Sequence, residues 1–94
     1  MFVLNGARNM IVNMAQVERV TLVEKNDAVV MMAGFGDGNA CSIGRFNDRP
    51  EAMAALMELY TSLYDGSLYF EIPQRKTIAD DIVKDHRVKR KGGS

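Results

Sequence analysis

The sequence has little of what most metal and catalytic sites require. Its 94 residues include one cysteine, one histidine and no tryptophan. A single cysteine excludes a disulfide within the chain, which fits a reducing compartment. One cysteine and one histidine also cannot supply the usual ligands of a zinc site. We therefore expect no metal and no cofactor.

Long apolar runs are also missing. No stretch approaches the roughly 18 apolar residues that a membrane-spanning helix needs. The first six residues lack the basic start and the longer apolar segment of a signal peptide. The sequence predicts a soluble, cytoplasmic protein without a membrane partner.

Charge is balanced overall but unevenly distributed. The formal net charge is zero, with 12 basic and 12 acidic side chains. Residues 1–74 hold 5 basic and 9 acidic side chains, whereas residues 75–94 hold 7 basic and 3 acidic ones. We therefore divide the chain into a single folded domain, residues 1–73, and a basic C-terminal helix or tail, residues 74–94.

Short apolar segments separated by turn residues predict about five strands in the first half of the chain. The segment 28–35 is apolar on both faces, which is typical of a central or doubly covered strand. Cys41, Ile43 and Phe46 are predicted to point inward. The predicted strands are residues 2–5, 9–14, 17–24, 28–35 and 39–46.

The pattern then changes to that of a helix over about residues 48–65. Asp48 and Glu51 have the spacing of a capping box, Pro50 suits the first turn, and Gly66 suits a left-handed cap. Apolar residues recur at helical spacing and predict the face that packs on the sheet. They are Met53, Leu56, Met57, Tyr60, Leu63 and Tyr64, with Ala52, Ala55 and Leu59 widening the stripe.

A further strand is predicted over residues 67–72, ending at Pro73, and a short second helix over residues 77–85. The fold class is α+β, with an antiparallel meander of about five short strands packed against one long helix.

The segment Gly34-Phe35-Gly36-Asp37-Gly38 resembles a phosphate-binding loop at first sight. Such a loop opens directly into a helix, whose N–H groups hold the phosphate. Here a predicted strand follows instead. Asp37-Gly38 is a favoured turn pair between antiparallel strands, so we predict a hairpin turn.

Candidate catalytic residues are few. A nucleophilic cysteine needs a base or a positive charge beside it, but His86 is 45 positions from Cys41. Glu51 is explained by helix capping and Glu58 by exposure to solvent, so the two carboxylates do not indicate an acid–base pair. The sequence therefore predicts no catalytic residues and a protein that is not an enzyme.

The basic segment His86–Lys91 carries four cations in five positions. Together with Arg75 and Lys76 it suits contacts with nucleic-acid phosphates, and the aromatic residues Tyr60, Tyr64, Tyr69 and Phe70 have the chemistry to stack on bases. A solvated, solubilising tail is the simpler alternative. The candidate nucleic-acid-binding residues are Arg75, Lys76, Arg87, Lys89, Arg90 and Lys91.

Seven methionines suit either a core or an adaptable binding surface. Five of them fall in apolar patterns and are predicted to pack in the core: Met10, Met31, Met32, Met53 and Met57. One helix cannot cover both faces of a sheet, so the doubly apolar segment 28–35 predicts leftover apolar surface. Such surface favours a small interaction module that self-associates, as in a homodimer, and binds a protein partner.

Several short motifs resemble a group of small uncharacterised proteins of Gram-positive bacteria, their prophages and mobile elements. The motifs are Val3-Leu4-Asn5, Ile11-Val12-Asn13 with Val17, Gly44-Arg45-Phe46, the helix Ala52 to Leu63, and Glu71-Ile72-Pro73. The resemblance covers about residues 1–73. It implies a cytoplasmic location and a phage or mobile-element setting, and it assigns no functional residue.

Overall fold

The computed structural model describes residues 1–74, and within them it confirms the α+β class. The predicted helix 77–85 and nearly all of the predicted tail, 74–94, lie outside the described residues. In chain order the elements are β1 (Phe2–Leu4), β2 (Ile11–Asn13), β3 (Val17–Lys25), β4 (Ala28–Phe35), β5 (Ala40–Phe46), α1 (Arg49–Tyr64) and β6 (Tyr69–Glu71), with a single 3₁₀ turn at Met14–Gln16 between β2 and β3.

The strands of the predicted meander form two sheets rather than one. Sheet A has the order β2-β1-β6, and sheet B has the order β3-β4-β5. The 3₁₀ turn redirects the chain after β2, so β2 and β3 are not neighbours in a sheet. The free edge of β1 is instead taken by β6, which runs parallel to it with Val3 opposite Phe70.

Sheet B is antiparallel, and β4 is its central strand, as predicted. A bulge in β5 places Gly44 opposite Met31 but Ser42 opposite Met32, so that Ile43 has no partner residue in β4. The extra residue changes the alternation along β5. As a result Phe46 and Ile43 are buried and Cys41 packs partly buried against the core, as the sequence predicts.

The bulge also connects the two sheets. The carbonyl of Ile43 accepts a hydrogen bond of 2.9 Å from the backbone N–H of Gly6, in the loop between β1 and β2. This loop is organised by Asn5, whose buried side-chain oxygen accepts from the N–H groups of Asn9 and Met10 at 3.0 and 3.1 Å. Asn5 thereby supplies the acceptor that the turning backbone needs.

Arg8 joins the same loop to the last strand. Its backbone adopts the left-handed conformation (φ 64°), and its Nη1 donates to the carbonyls of Asn5 at 3.0 Å and Ile72 at 2.7 Å. A weaker ion pair to Glu71, at 3.8 Å, lies beside these bonds. The contacts hold the end of β6 next to the β1–β2 loop.

The glycine-rich segment forms the predicted hairpin turn between β4 and β5. The N–H of Phe35 donates to the carbonyl of Asn39, and the N–H of Gly38 donates back to the carbonyl of Phe35. Gly38 has a φ of +92°, which suits glycine at the end of a three-residue hairpin loop. No helix begins at this segment, so the hydrogen bonds of its backbone close a turn.

Both predicted ends of α1 are confirmed. Asp48 accepts from the N–H of Glu51 at 2.9 Å, and the Glu51 carboxylate reaches back to the N–H of Asn47 at 2.7 Å. At the other end Gly66 (φ 76°) lies in a Schellman motif. The N–H of Gly66 donates to the carbonyl of Leu63, and that of Ser67 donates to the carbonyl of Ser62.

The core lies where both sheets meet α1. It contains residues of every strand except β3 and β6, together with the helix and Ile72: Val3, Val12, Val29, Met31, Ala33, Ile43, Phe46, Ala52, Ala55, Leu59 and Ile72. Among residues 1–74 the structure contains no helix that is both long and apolar enough to span a bilayer.

Candidate functional site

The face of α1 that packs on the sheet is narrower than the sequence predicts. Ala52, Ala55 and Leu59 are 0–2% exposed and face sheet B. Alanine at two of these positions lets the helix backbone approach the strands closely. Most of the larger apolar residues, which were predicted to face the core, are therefore left on the outer side of α1, and that part of the prediction is wrong.

The exposed residues form one stripe along α1. Met53, Met57, Tyr60 and Tyr64 are 40, 51, 60 and 82% exposed. They follow one another at intervals of four, three and four residues, which keeps them on one side of a helix. We call these four residues the outer stripe.

The outer stripe contains no charged side chain. The charged residues of α1 are Arg49 and Glu51 in the first turn and Glu58 in the middle. Glu58 directly follows Met57, and consecutive helical residues point about 100° apart, so its carboxylate lies away from the stripe. The stripe is thus an uncharged apolar strip about three turns long.

A groove of about 560 Å³ between α1 and β3 extends this apolar surface. The outer stripe contributes Met57 and Tyr60 to the wall of the groove. The remaining apolar lining comes from α1, from β3 and from the 3₁₀ turn that precedes β3. Glu18 and Arg19 stand at the groove as an exposed ion pair of 3.0 Å, so their charges offset each other. The other apolar lining residues are Met14, Val17, Val20, Leu56, Leu59 and Leu63.

The outer face of sheet A is a second exposed apolar surface. Phe2 stands opposite Tyr69, and Leu4 stands opposite Ile11. Phe2, Ile11 and Tyr69 are exposed, and Leu4 is half-buried. Because β1, β2 and β6 alternate, their opposite face carries the buried Val3 and Val12.

Exposed apolar residues are present, but none of the large ones belongs to β4, the strand whose two apolar faces predicted such a surface. On β4, Ala28 and Val30 are 3 and 4% exposed, and β3 and β5 flank the strand on its two sides. Arg45 lies directly opposite Val30. Most of the exposed large apolar residues are on α1 and sheet A; the others are Val23 of β3, which is 39% exposed and lies opposite Val30, and Leu68, which is 80% exposed and precedes β6.

The predicted assignment of methionines to the core is only partly correct. Met31 is fully buried, Met10 and Met32 are half-buried, and Met53 and Met57 are exposed. The flexible thioethers of the last two residues suit an adaptable contact surface.

The predicted nucleic-acid residues, Arg75, Lys76, Arg87, Lys89, Arg90 and Lys91, all lie outside the described residues. Of the aromatic residues considered for base stacking, Tyr60 and Tyr64 lie on α1 and Tyr69 lies on sheet A. Phe70 faces inward and packs partly buried against the core. The structure therefore distributes these rings over two elements.

Within residues 1–74 no group of three or more histidine, cysteine or acidic side chains is placed to hold a metal ion. Cys41 is half-buried on β5 and packs against the core.

The comparisons with known proteins gave no match. No protein-family model matches the chain, and no curated protein or solved structure is similar to it.

Proposed function

We propose that this protein is a small, non-enzymatic interaction module that self-associates and binds a protein partner in the cytoplasm. The observation that carries the proposal is the uncharged apolar stripe on α1 together with the mainly apolar groove beside it. Contiguous exposed apolar surface on a small domain is typical of protein-interaction sites. The biological setting that we propose is the phage or mobile-element context implied by the sequence resemblance.

The composition of this surface favours a protein as its occupant. Tyrosine and methionine are enriched where proteins meet, because they bury a large area and adapt to the opposing surface. Met57 and Tyr60 belong both to the wall of the groove and to the outer stripe, so one partner can contact both surfaces.

We expect the protein to associate reversibly, with a molar mass near twice that of the 10.5 kDa chain at high concentration. Met57→Asp should weaken this association at least about 100-fold, because burying an unpaired carboxylate in an apolar interface costs several kcal/mol. Light scattering coupled to size-exclusion chromatography over a dilution series measures both effects.

Ile11→Asp is the matched control, since it places the same charge on an exposed apolar residue of sheet A, 69% exposed against 51% for Met57. It should leave the association unchanged. A chain that stays monomeric at every concentration would rule out self-association. Loss of association with Ile11→Asp but not with Met57→Asp would move the interface to sheet A.

The alternative proposal is a nucleic-acid binder, and the observation that favours it is the charge separation along the chain. Residues 75–94 carry a net charge of +4, but residues 1–74 carry −4 and would repel phosphates. If about four phosphates are contacted, the logarithm of the affinity should fall with the logarithm of the salt concentration with a slope of about −3 to −4.

Fluorescence anisotropy with labelled duplex DNA and RNA between 50 and 200 mM salt tests this alternative. Removal of residues 87–94 should abolish the binding, whereas Met57→Asp should leave it intact. Binding that is absent for both nucleic acids, or that does not respond to salt, would exclude this function.

A further inference from the structure

The spacing of the outer stripe is that of a coiled-coil seam. Intervals of four, three and four residues place Met53, Met57, Tyr60 and Tyr64 at successive d, a, d and a positions of a heptad. The core-facing residues Ala52, Ala55 and Leu59 lie on a different face of α1. The helix therefore has one face for its own core and a separate narrow seam that is typical of contact with another helix.

We propose that the seam binds the α1 helix of a second copy of this chain in an antiparallel pair with two-fold symmetry. This inference rests on the self-association proposed above and specifies its geometry. The two-fold axis passes midway between Met57 and Tyr60. Met57 then faces Tyr60 of the second copy, and Met53 faces Tyr64 of the second copy, at the shallow crossing angle of about 20° that such seams adopt.

The order of residue types along the seam matches an antiparallel pair. The seam reads Met, Met, Tyr, Tyr in chain order, so reversing one helix brings every methionine opposite a tyrosine. Thioether sulfur and aromatic rings make favourable contacts. A parallel pair would instead place each methionine against a methionine and each tyrosine against a tyrosine.

The helix dipoles favour the same direction. The two ends of α1 carry opposite partial charges, so an antiparallel pair places the positive N-terminal end of each helix beside the negative C-terminal end of the other, whereas a parallel pair places like ends together.

The available area is of the right order for a dimer. The outer stripe together with Leu63, which is 44% exposed, presents about 500–600 Å², taking roughly 200 Å² for each fully exposed large side chain. A standard interface takes about 800 Å² from each partner. The rim of the groove, where Leu56 is half-buried, supplies further apolar area on the flank of the seam.

Disulfide trapping distinguishes the two directions. Met53→Cys and Tyr64→Cys are prepared as separate variants in a Cys41→Ala background, which removes the native thiol, and are mixed and oxidised. We expect the mixed disulfide between the two variants to predominate. In the antiparallel pair, position 53 lies about 16 Å along the axis from position 53 of the second copy, beyond the limit of about 7 Å between disulfide-linked Cα atoms.

Mass spectrometry without reduction separates the mixed disulfide from the two homodisulfides, because the variants differ in mass. Predominance of the homodisulfides would overturn the antiparallel direction. No cross-link from a mixture that light scattering shows to be dimeric would overturn the seam while leaving self-association intact. A monomeric wild-type chain would overturn both proposals.

A second measurement uses the wild-type chain, so that it does not depend on the cysteine variants folding and associating. In a mixture of copies with ¹³C-labelled methionine methyl groups and unlabelled copies, intermolecular NOEs should connect the Met53 and Met57 methyl groups to the Tyr64 and Tyr60 rings. Contacts confined to Phe2 or Tyr69 of sheet A would contradict the proposal.

Discussion

Asn5→Ala is expected to lower the free energy of unfolding by about 2–3 kcal/mol, because it leaves two turn N–H groups without their acceptor. The Asn5 side chain is 6% exposed and accepts from the N–H groups of Asn9 and Met10, while its amide donates to the Asn9 side chain at 2.8 Å. For a domain of this size the melting temperature should fall by about 10 °C or more. Chemical denaturation at a fixed protein concentration measures the loss.

The matched control for this prediction is Asn13→Ala. Asn13 also accepts a backbone N–H, that of Ala15 at 3.0 Å, but its hydrogen bond is exposed to solvent. Water can replace this side chain, so we expect a loss below about 1 kcal/mol. Equal losses for the two variants would show that burial of Asn5 does not set the strength of its hydrogen bonds.

The parts of the fold that could be predicted from the sequence are those encoded by neighbouring residues. Asp48, Glu51 and Gly66 define the two ends of α1 through contacts no more than five residues apart. Asp37-Gly38 likewise defines a hairpin through its own backbone conformation. Caps and turns depend on short-range geometry, so one chain is enough to locate them.

The division into two sheets could not be predicted in the same way. The pairing of β1 with β6 joins residues more than 60 positions apart, and a three-residue strand has little alternation from which to identify a partner. The contact from Arg8 to Ile72, beside the end of β6, and the contact from Gly6 to Ile43, between the two sheets, use groups that look like ordinary loop and strand residues in the sequence.

The candidate site illustrates the limit of helical periodicity. The positions of Met53, Met57, Tyr60 and Tyr64 were visible in the sequence, but periodicity cannot tell which apolar side of a helix faces the sheet when apolar residues occupy more than one side. The size of the side chains decides which side of α1 packs on the sheet. Sheet B packs against the face with two alanines, and the bulky residues remain outside. The signal in the sequence that could have identified the outer face was the strict heptad spacing of the outer stripe.

Gly44→Val is expected to destabilise the protein by about 3 kcal/mol, because the position has no room for a side chain. A Cβ atom at residue 44 would lie 2.9 Å from Ile72 Cγ2 and 3.1 Å from Phe46 Cε2. Ile72 and Phe46 are 0 and 1% exposed, so neither can move into solvent. Urea unfolding monitored by circular dichroism measures the change at a fixed protein concentration.

Two further variants identify the cause of this loss. Gly36→Ala, in the exposed β4–β5 turn, meets only Glu18 Oε2 at 3.8 Å and has no positive φ, so it should be neutral or stabilise by up to about 1 kcal/mol. Ile72→Ala removes the nearest clashing atom and should therefore recover part of the stability lost in Gly44→Val, giving a coupling energy of about 1 kcal/mol or more in a double-mutant cycle. If the losses of stability in the two single variants are strictly additive, contact with Ile72 is not the reason that position 44 requires glycine. The loss in Gly44→Val would then come from the bulge in β5.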